Sequence, residues 1–292
     1  MRHGRTRALT GGMSSNPRPR RSVLYLPANR DSAIARARTL ASDCVILDLE
    51  DAVQPDAKPA ARAAAVAAAQ AGGWGRRELL LRVNGMTTAH AMADFGAATG
   101  ARFDAIVVPK VESVAEAQAA VAAAAGLPVW AMIETPRGVL AAADIAAVPG
   151  IAALVAGMAD LAKDLRARPD AARTPLLYAL SAIVLAARAA GALVFDGVFT
   201  AIGDEDGFAA EARQALMLGF DGKTLIHPSQ VDPCNRVFSP SAAEIAEAEA
   251  LIAAYDAGLA SGAGVTTYKG RMVEIIHVVE ARRVLAMAGV IG

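Results

Sequence analysis

The run PVWAMIE (128–134) is apolar until its last residue, and Glu134 is followed directly by Thr135-Pro136, a helix-start signal. Farther along, AGMADLAKDL places Asp160 just behind a second apolar run. Two carboxylates placed this way suit a hard divalent cation. Mg2+ takes oxygen ligands, commonly one or two of them protein carboxylates, and leaves its other positions to water and ligand. Each acid also has a second reading, as the cap of the helix that follows it. Arg82 lies inside LLLRVNG (79–85), where a guanidinium is costly to bury unpaired, so it must meet a carboxylate from a neighbour or from a bound molecule. Asp48, Glu50 and Asp51 crowd into VILDLEDAV, either as acid–base candidates or as a salt-bridged turn with one member facing a site. Lys110 ends AIVVPK and reads as the partner of an acid rather than as a Schiff-base lysine. His227, before Pro228, reads as a packed loop residue sooner than a base, and His3, His90 and His277 have no partner spacing.

These residues share a setting, since each ends or follows a short apolar run. Eight runs recur along the chain: SVLYLP (22–27), CVILDLE (44–50), LLLRVNG (79–85), AIVVPK (105–110), PVWAMIE (128–134), IAALVAG (151–157), ALVFDG (192–197) and FDGKTLIHP (220–228). They are nearly continuous rather than alternating, as strands covered on both faces are, and the Ala-rich stretches between them are long enough for crossover helices. Eight β–α units in this length predict an α/β fold, a closed (β/α)8 TIM barrel. An open doubly wound sheet would use the same alternation, but its GxGxxG fingerprint is missing. In a parallel barrel the chemistry gathers at the carboxyl ends of the strands, and Asn84, Glu112 and Asp196 join the residues above at those ends. The organisation expected is a disordered basic tail over 1–20, a barrel over 21–238 and a C-terminal helical extension over 239–292. In the extension, SPSAAEIAEAEALIAAYDAGLA forms one helix, a Gly-rich link spans 258–264, and a last helix lies around 273–288.

Composition narrows the function classes. The chain has 292 residues, 54% of them hydrophobic, enough for a large core. Its 29 basic and 29 acidic residues balance, so no global field recruits nucleic acid or a membrane surface. No apolar stretch reaches the ~20 residues of a membrane-spanning helix. Cys44 and Cys234 stand far apart with no CxxC, which argues against a disulfide framework or a zinc site and for a cytoplasmic protein. The first 21 residues carry six arginines and no acid, and read as a disordered arm or an extended translation start ahead of Met13.

Taken in order, RSVLYLPANR, VILDLEDAV with Lys58 and Arg62, LLLRVNG, IVVPKVES, MIETPRG, AGMADL, FDGVF with DEDGF, GFDGKTLIHPSQV and TYKGRMVE resemble the HpcH/HpaI aldolase and citrate lyase β-subunit superfamily. The likeness is to its CoA-thioester branch of malyl-CoA, citramalyl-CoA and citryl-CoA lyases, and it runs from Arg21 through nearly the whole chain. It implies Mg2+, with Mn2+ as a substitute, held by Glu134 and Asp160, and Arg82 as the clamp on a substrate carboxylate. It also implies that Tyr25, Arg30 and Arg36 line the substrate and CoA entrance, and that Ala159 and the Ile226-His227 segment contact the ligand through backbone. Arg36 stands where such lyases can carry Lys. Glu274 stands where similar malyl-CoA lyases have Asp, in a C-terminal segment that can reach a neighbouring subunit's site in a trimer or hexamer. The extra methylene can move a base by about an ångström, a misplacement worth on the order of 100-fold in rate.

The expected reaction is reversible cleavage of a 3-hydroxyacyl-CoA to acetyl-CoA, or another acyl-CoA, and a 2-oxo acid. Glu274 is the first candidate for the base, with Glu50 and Asp51 as the others. Two alternatives reuse the same residues: a metal-dependent aldolase acting on a free 2-oxo acid without CoA, and a non-catalytic acyl-CoA-binding subunit.

Overall fold

The computed structural model describes residues 18–261 and 265–291. Eight parallel strands close into a barrel: β1 Ser22–Pro27, β2 Cys44–Asp48, β3 Glu78–Arg82, β4 Ala105–Val108, β5 Val129–Ile133, β6 Ile151–Ala156, β7 Leu193–Asp196 and β8 Gly222–Leu225. They pair in chain order, and β8 returns to β1 through Ser22–Lys223 and Leu24–Leu225. Between and after them run α1 Asp31–Ala37, α2 Lys58–Ala71, α3 Ala91–Thr99, α4 Val114–Ala123, α5 Pro136–Ala146, α6 Met158–Asp164, α7 Leu177–Ala190, α8 Glu205–Leu218 and α9 Val231–Val237.

Strand side chains alternate between two cores. Val23, Ile46, Leu80, Val107, Trp130, Val155 and Phe195 fill the barrel interior, with the Trp130 and Phe195 rings stacked at 4.5 Å between centroids. Leu24, Leu47, Leu81, Ile106, Ala131, Leu154 and Val194 pack outward against the helices. Both faces are therefore dry, which explains why each strand reads as a continuous apolar run. This period of two also decides which polar strand-end residue looks into the barrel mouth.

It turns Asp196 away from the mouth, into the layer between barrel and helices. There it meets Arg173 Nη1 at 2.7 Å and Lys223 Nζ at 2.7 Å, and Lys223 also reaches Glu211 of α8 at 2.7 Å. Asp196 and Lys223 are fully buried. Burial works to raise the Asp196 carboxyl, but Lys223 and Arg173 outweigh it and hold the group below its usual range. Asn84 likewise serves structure, donating to Leu49 O and to Asp94.

Residues 20–238 form one compact unit, and the described residues from 239 onward belong to a second. Most of the tail expected over 1–20 lies outside the described residues. Arg20, counted with it, hydrogen-bonds Glu78 at the start of β3. In the second unit, α10 Ala242–Ala260 opens with a capping box of Ser241 and Glu244. It packs against α11 Ile275–Ile291 and against a hairpin of β9 Thr266–Tyr268 and β10 Arg271–Val273. The sequence reading contained no hairpin, because three-residue strands show no measurable periodicity. Gly258, expected in the Gly-rich link, lies inside α10, where a Cβ would stand 2.0 Å from Thr266 Oγ1; its small size admits the hairpin. Among the described residues no helix is long and apolar enough to cross a membrane.

Candidate active site

The interior positions at the ends of β2 and β3 are paired across the ladder, Asp48 beside Arg82. Their side chains form a two-pronged ion pair, Arg82 donating from Nε at 2.7 Å and from Nη2 at 2.6 Å to the two Asp48 oxygens. Asp48 also accepts from the backbone N–H of Glu50 and Ala52, so it holds its own turn as well as the guanidinium. Arg82 Nη1 stands 2.9 Å from Glu50 Oε2, an ion pair without hydrogen-bond alignment. The guanidinium lies over the Tyr25 ring, 4.8 Å from its centroid. Of the two partners open to Arg82, the neighbour is thus present within the protein. Lys58, buried at the start of α2, donates to Leu49 O and Glu50 O and pins the loop that carries these acids.

Glu134 follows β5 on the interior side, 4% exposed. The helix after it is capped by Thr135, whose hydroxyl accepts from Gly138 N–H, with Pro136 in the first turn. Asp160 sits in the first turn of α6, whose N-cap Gly157 offers no side chain. Neither acid therefore spends its carboxylate as the N-cap of its helix. Glu134 Oε1 accepts from the Lys110 backbone N–H at 2.8 Å. Lys110 holds a left-handed backbone (φ 53°), a costly conformation for a residue with a Cβ, and one that accompanies the presentation of its N–H to Glu134. Its ammonium stands 2.7 Å from Glu50 Oε1 and 3.6 Å from Asp160 Oδ2. Burial works to lower the Lys110 pKa, but the hydrogen bond that its ammonium donates to Glu50 and the negative charges of Glu50, Glu134 and Asp51 outweigh it, and the net shift is upward. Glu134 overlies Gly157, where a Cβ would lie 2.3 Å from Glu134 Cβ and 2.5 Å from its Oε2. Burial pushes the Glu134 carboxyl up to about 7, against the pull of Lys110.

A cavity of about 410 Å³ opens at this end of the barrel, lined by Tyr25, Asp51, Arg82, Glu134, Asp160 and others. Among the described residues no three His, Cys, Asp or Glu gather as a ready metal cage. Glu134 and Asp160 instead supply two oxygen donors to one cavity, and the buried Glu134 carboxylate lacks enough positive charge to keep its usual acidity. That donor set fits Mg2+, which keeps most of its positions for water and substrate.

The other sequence candidates separate into two groups. Tyr25, Asp51, Ala159 and Ile226 line the cavity, whereas Glu50 does not line it and is ion-paired to Arg82 and Lys110. Burial, the largest influence, raises the pKa of both Tyr25 and Glu50. Arg30 and Arg36, at the two ends of α1, are exposed and do not line the cavity. His227 accepts from Ser229 N–H and caps the short turn that follows, leaving the cavity to its neighbour Ile226. Glu274 is exposed just ahead of α11, and its N–H donates to His277 Nδ1. Met132, Val155 and Thr224 also line the cavity and are not among the residues expected there from the sequence. Met132 was findable, being two residues before Glu134 and hence on the same strand face.

Residues 21–228 match the family described as HpcH/HpaI aldolase/citrate lyase. The chain belongs to that family. Within it, the chain is 45% identical over 282 residues to a (3S)-malyl-CoA thioesterase of Cereibacter sphaeroides, covering 96% of this chain and 98% of that one. It is 35% identical over 306 residues to an L-malyl-CoA/β-methylmalyl-CoA lyase of the same organism, covering 94% and 96%. A crystal structure of the protein CitE from Mycobacterium tuberculosis, in complex with magnesium, acetoacetate and coenzyme A, superposes with a TM-score of 0.79 at 34% identity, covering 92% and 98%. This HpcH/HpaI-family chain thus shares the closed barrel with a protein crystallised with magnesium and coenzyme A, and its relatives include lyases; like them it is an enzyme.

Proposed function

We propose that the protein is a Mg2+-dependent carbon–carbon lyase that reversibly cleaves a 3-hydroxyacyl-CoA of the malyl-CoA type to acetyl-CoA and a 2-oxo acid. The observation that carries this reading is the cavity where Glu134, Asp160 and Arg82 meet, on a chain related throughout its length to enzymes of such thioesters. Glu134 and Asp160 would hold the ion, which when bound supplies Lewis-acid stabilisation of negative charge on the substrate's oxygens.

The chain's own residues supply the rest. Arg82, fixed by Asp48 in two places, keeps positive potential aimed at the cavity without having to reorganise during the reaction. Lys110 keeps Glu50 and Asp160 in register through its two ion pairs. In cleavage the hydroxyl proton leaves, the C2–C3 bond breaks, and a proton returns to the acyl carbon, so the sequence is redox-neutral. Of the two barrel acids open to proton transfer, Asp51 faces the cavity and is 66% exposed at its side chain, whereas Glu50 is tied to Arg82 and Lys110. Glu274 of a neighbouring subunit is the further candidate, in a trimer or hexamer whose C-terminal segments reach across. The composition and the buried, unpaired Cys44 and Cys234 support a cytoplasmic setting.

A second reading, hydrolysis of the thioester to free CoA and a hydroxy diacid, is favoured by the 45% identity to the malyl-CoA thioesterase. Product analysis separates the two. Purified full-length protein is given malyl-, citramalyl- and citryl-CoA with Mg2+, and acetyl-CoA and free CoA are quantified. Acetyl-CoA in step with a 2-oxo acid supports cleavage; free CoA alone supports hydrolysis; activity undiminished in Glu134→Ala contradicts both.

A further inference from the structure

The candidate cation site is bordered by a positive charge of the protein's own, and Lys110 is tied to the site at both ends. Its backbone N–H, in the left-handed conformation (φ 53°), donates to Glu134 Oε1 at 2.8 Å. Its ammonium donates to Glu50 Oε1 at 2.7 Å, and the same Nζ stands 3.6 Å from Asp160 Oδ2, beyond hydrogen-bond length but within ion-pair range. Glu50 is a fixed anchor for that ammonium. Its carboxylate lies 2.9 Å from Arg82 Nη1, its N–H donates to Asp48, and its carbonyl accepts from Lys58. Lys110 therefore meets one proposed metal ligand through its backbone and faces the other with its charge. The hydrogen bond that fixes its ammonium goes to a third acid that does not line the cavity. Lys163 offers a contrast: its Nζ is also 3.6 Å from Asp160, at Oδ1, but its side chain is 76% exposed, against 44% for Lys110.

From this arrangement we infer that Lys110 is a built-in counter-cation of the carboxylate pair, which lets Glu134 and Asp160 stand together without Mg2+ and holds the affinity for the ion below what the two acids alone would give. The inference rests on the reading of Glu134 and Asp160 as the Mg2+ ligands and deepens it. Two carboxylates brought to one cavity repel each other, and a cation anchored beside them offsets that repulsion. The same charge repels a second cation, so its removal strengthens ion binding while weakening the metal-free fold. A lysine that merely held the ligands in place would do the opposite, because its loss would loosen them and weaken the ion. Solvent screens Lys163 more and no second acid anchors it, so its charge has little effect on the site.

The test uses full-length protein freed of metal and titrated at fixed pH and ionic strength with Mn2+, the free ion read by electron paramagnetic resonance and Mg2+ added as competitor. Glu134→Ala marks which binding belongs to this site. The expected result is that Lys110→Met binds both ions at least about fivefold tighter than wild type, with Lys163→Met within about twofold. Metal-free Lys110→Met should melt below wild type and gain more from added Mg2+. Should it fail to fold without the ion, Lys110→Gln, which keeps a donor for Glu50 but no charge, carries the same comparison. Unchanged or weaker ion binding in the folded Lys110 variant overturns the inference while leaving the metal reading intact. An equal gain in Lys163→Met makes the effect one of net charge and overturns it too. Wild-type protein that binds neither ion, or binds them undiminished in Glu134→Ala, overturns the metal reading and the inference with it.

Discussion

Replacing Gly157 by alanine perturbs the candidate metal site without removing a carboxylate. Gly157 has φ −101°, a value open to any residue, so alanine introduces no backbone strain and its effect is steric. The new methyl would stand 2.3 Å from Glu134 Cβ, against 3.4 Å for ordinary van der Waals contact, so the Glu134 side chain or the strand must retreat by about 1 Å. The contacted atom is at the root of the side chain, so a rotamer change of the carboxylate alone does not relieve it. Overpacking of this kind costs about 1–3 kcal/mol of stability. Displacement of a reacting or ligating group by that distance lowers the rate by on the order of 100-fold. Loss of orientation around a metal raises its half-saturation by roughly 10- to 100-fold. The assay is a Mg2+ titration of turnover for wild type and Gly157→Ala, with thermal unfolding alongside. A folded variant whose Mg2+ half-saturation and kcat stay within twofold of wild type refutes the reasoning.

Other perturbations separate the site from its scaffold. Asp48→Asn puts an amide donor against the Arg82 donors in a buried pair; it should cost about 3 kcal/mol in urea unfolding and raise KM for the thioester, whereas unchanged KM and stability would show that Arg82 needs no anchor. Lys223→Met leaves Asp196 buried with Arg173 alone, a loss of about 3–5 kcal/mol read as a melting-temperature drop of roughly 10 °C. Because the folded protein holds the Asp196 pKa below its unfolded value, the stability it contributes is present above that unfolded value and is lost as pH falls through the folded one; acid denaturation of Lys223→Met should therefore begin at higher pH than in wild type. Glu134 behaves oppositely: its folded pKa of about 7 lies above the unfolded value, so without metal the protein loses stability as pH rises between the two. A proton competes with the cation there, so Mg2+ affinity should rise between pH 6 and 8 with proton release in calorimetry, and a flat profile would dissociate Glu134 from the ion.

The barrel was legible because strands covered on both faces must be apolar throughout, so their polar terminators stand out in the sequence. Which terminator faces the mouth was not legible from polarity. Asp196 and Glu134 both close a strand run, but the period of two sends Asp196 outward to Arg173 and Lys223 while Glu134 looks into the cavity. The sequence leaves the partner of Arg82 open between neighbour and ligand, because only the register of β2 against β3 brings Asp48 beside it. Met132 and Val155 went unnoticed because uncharged core residues carry no chemical signal until a cavity is seen beside them. Gly157 was silent for a similar reason, its meaning lying in a contact across two strands. In the C-terminal unit, Ser241 and Glu244 announced α10, whereas the hairpin had strands too short to show a pattern.

The account depends most directly on where a divalent cation sits. Crystals of the full-length protein grown with Mn2+ in place of Mg2+, and with glyoxylate, would reveal the ion by its anomalous scattering. The account predicts one strong peak at coordination distance from carboxylate oxygens of both Glu134 and Asp160, with Arg82 still held by Asp48. A map with no peak between those two side chains, or with the ion bound elsewhere in the barrel, would contradict it.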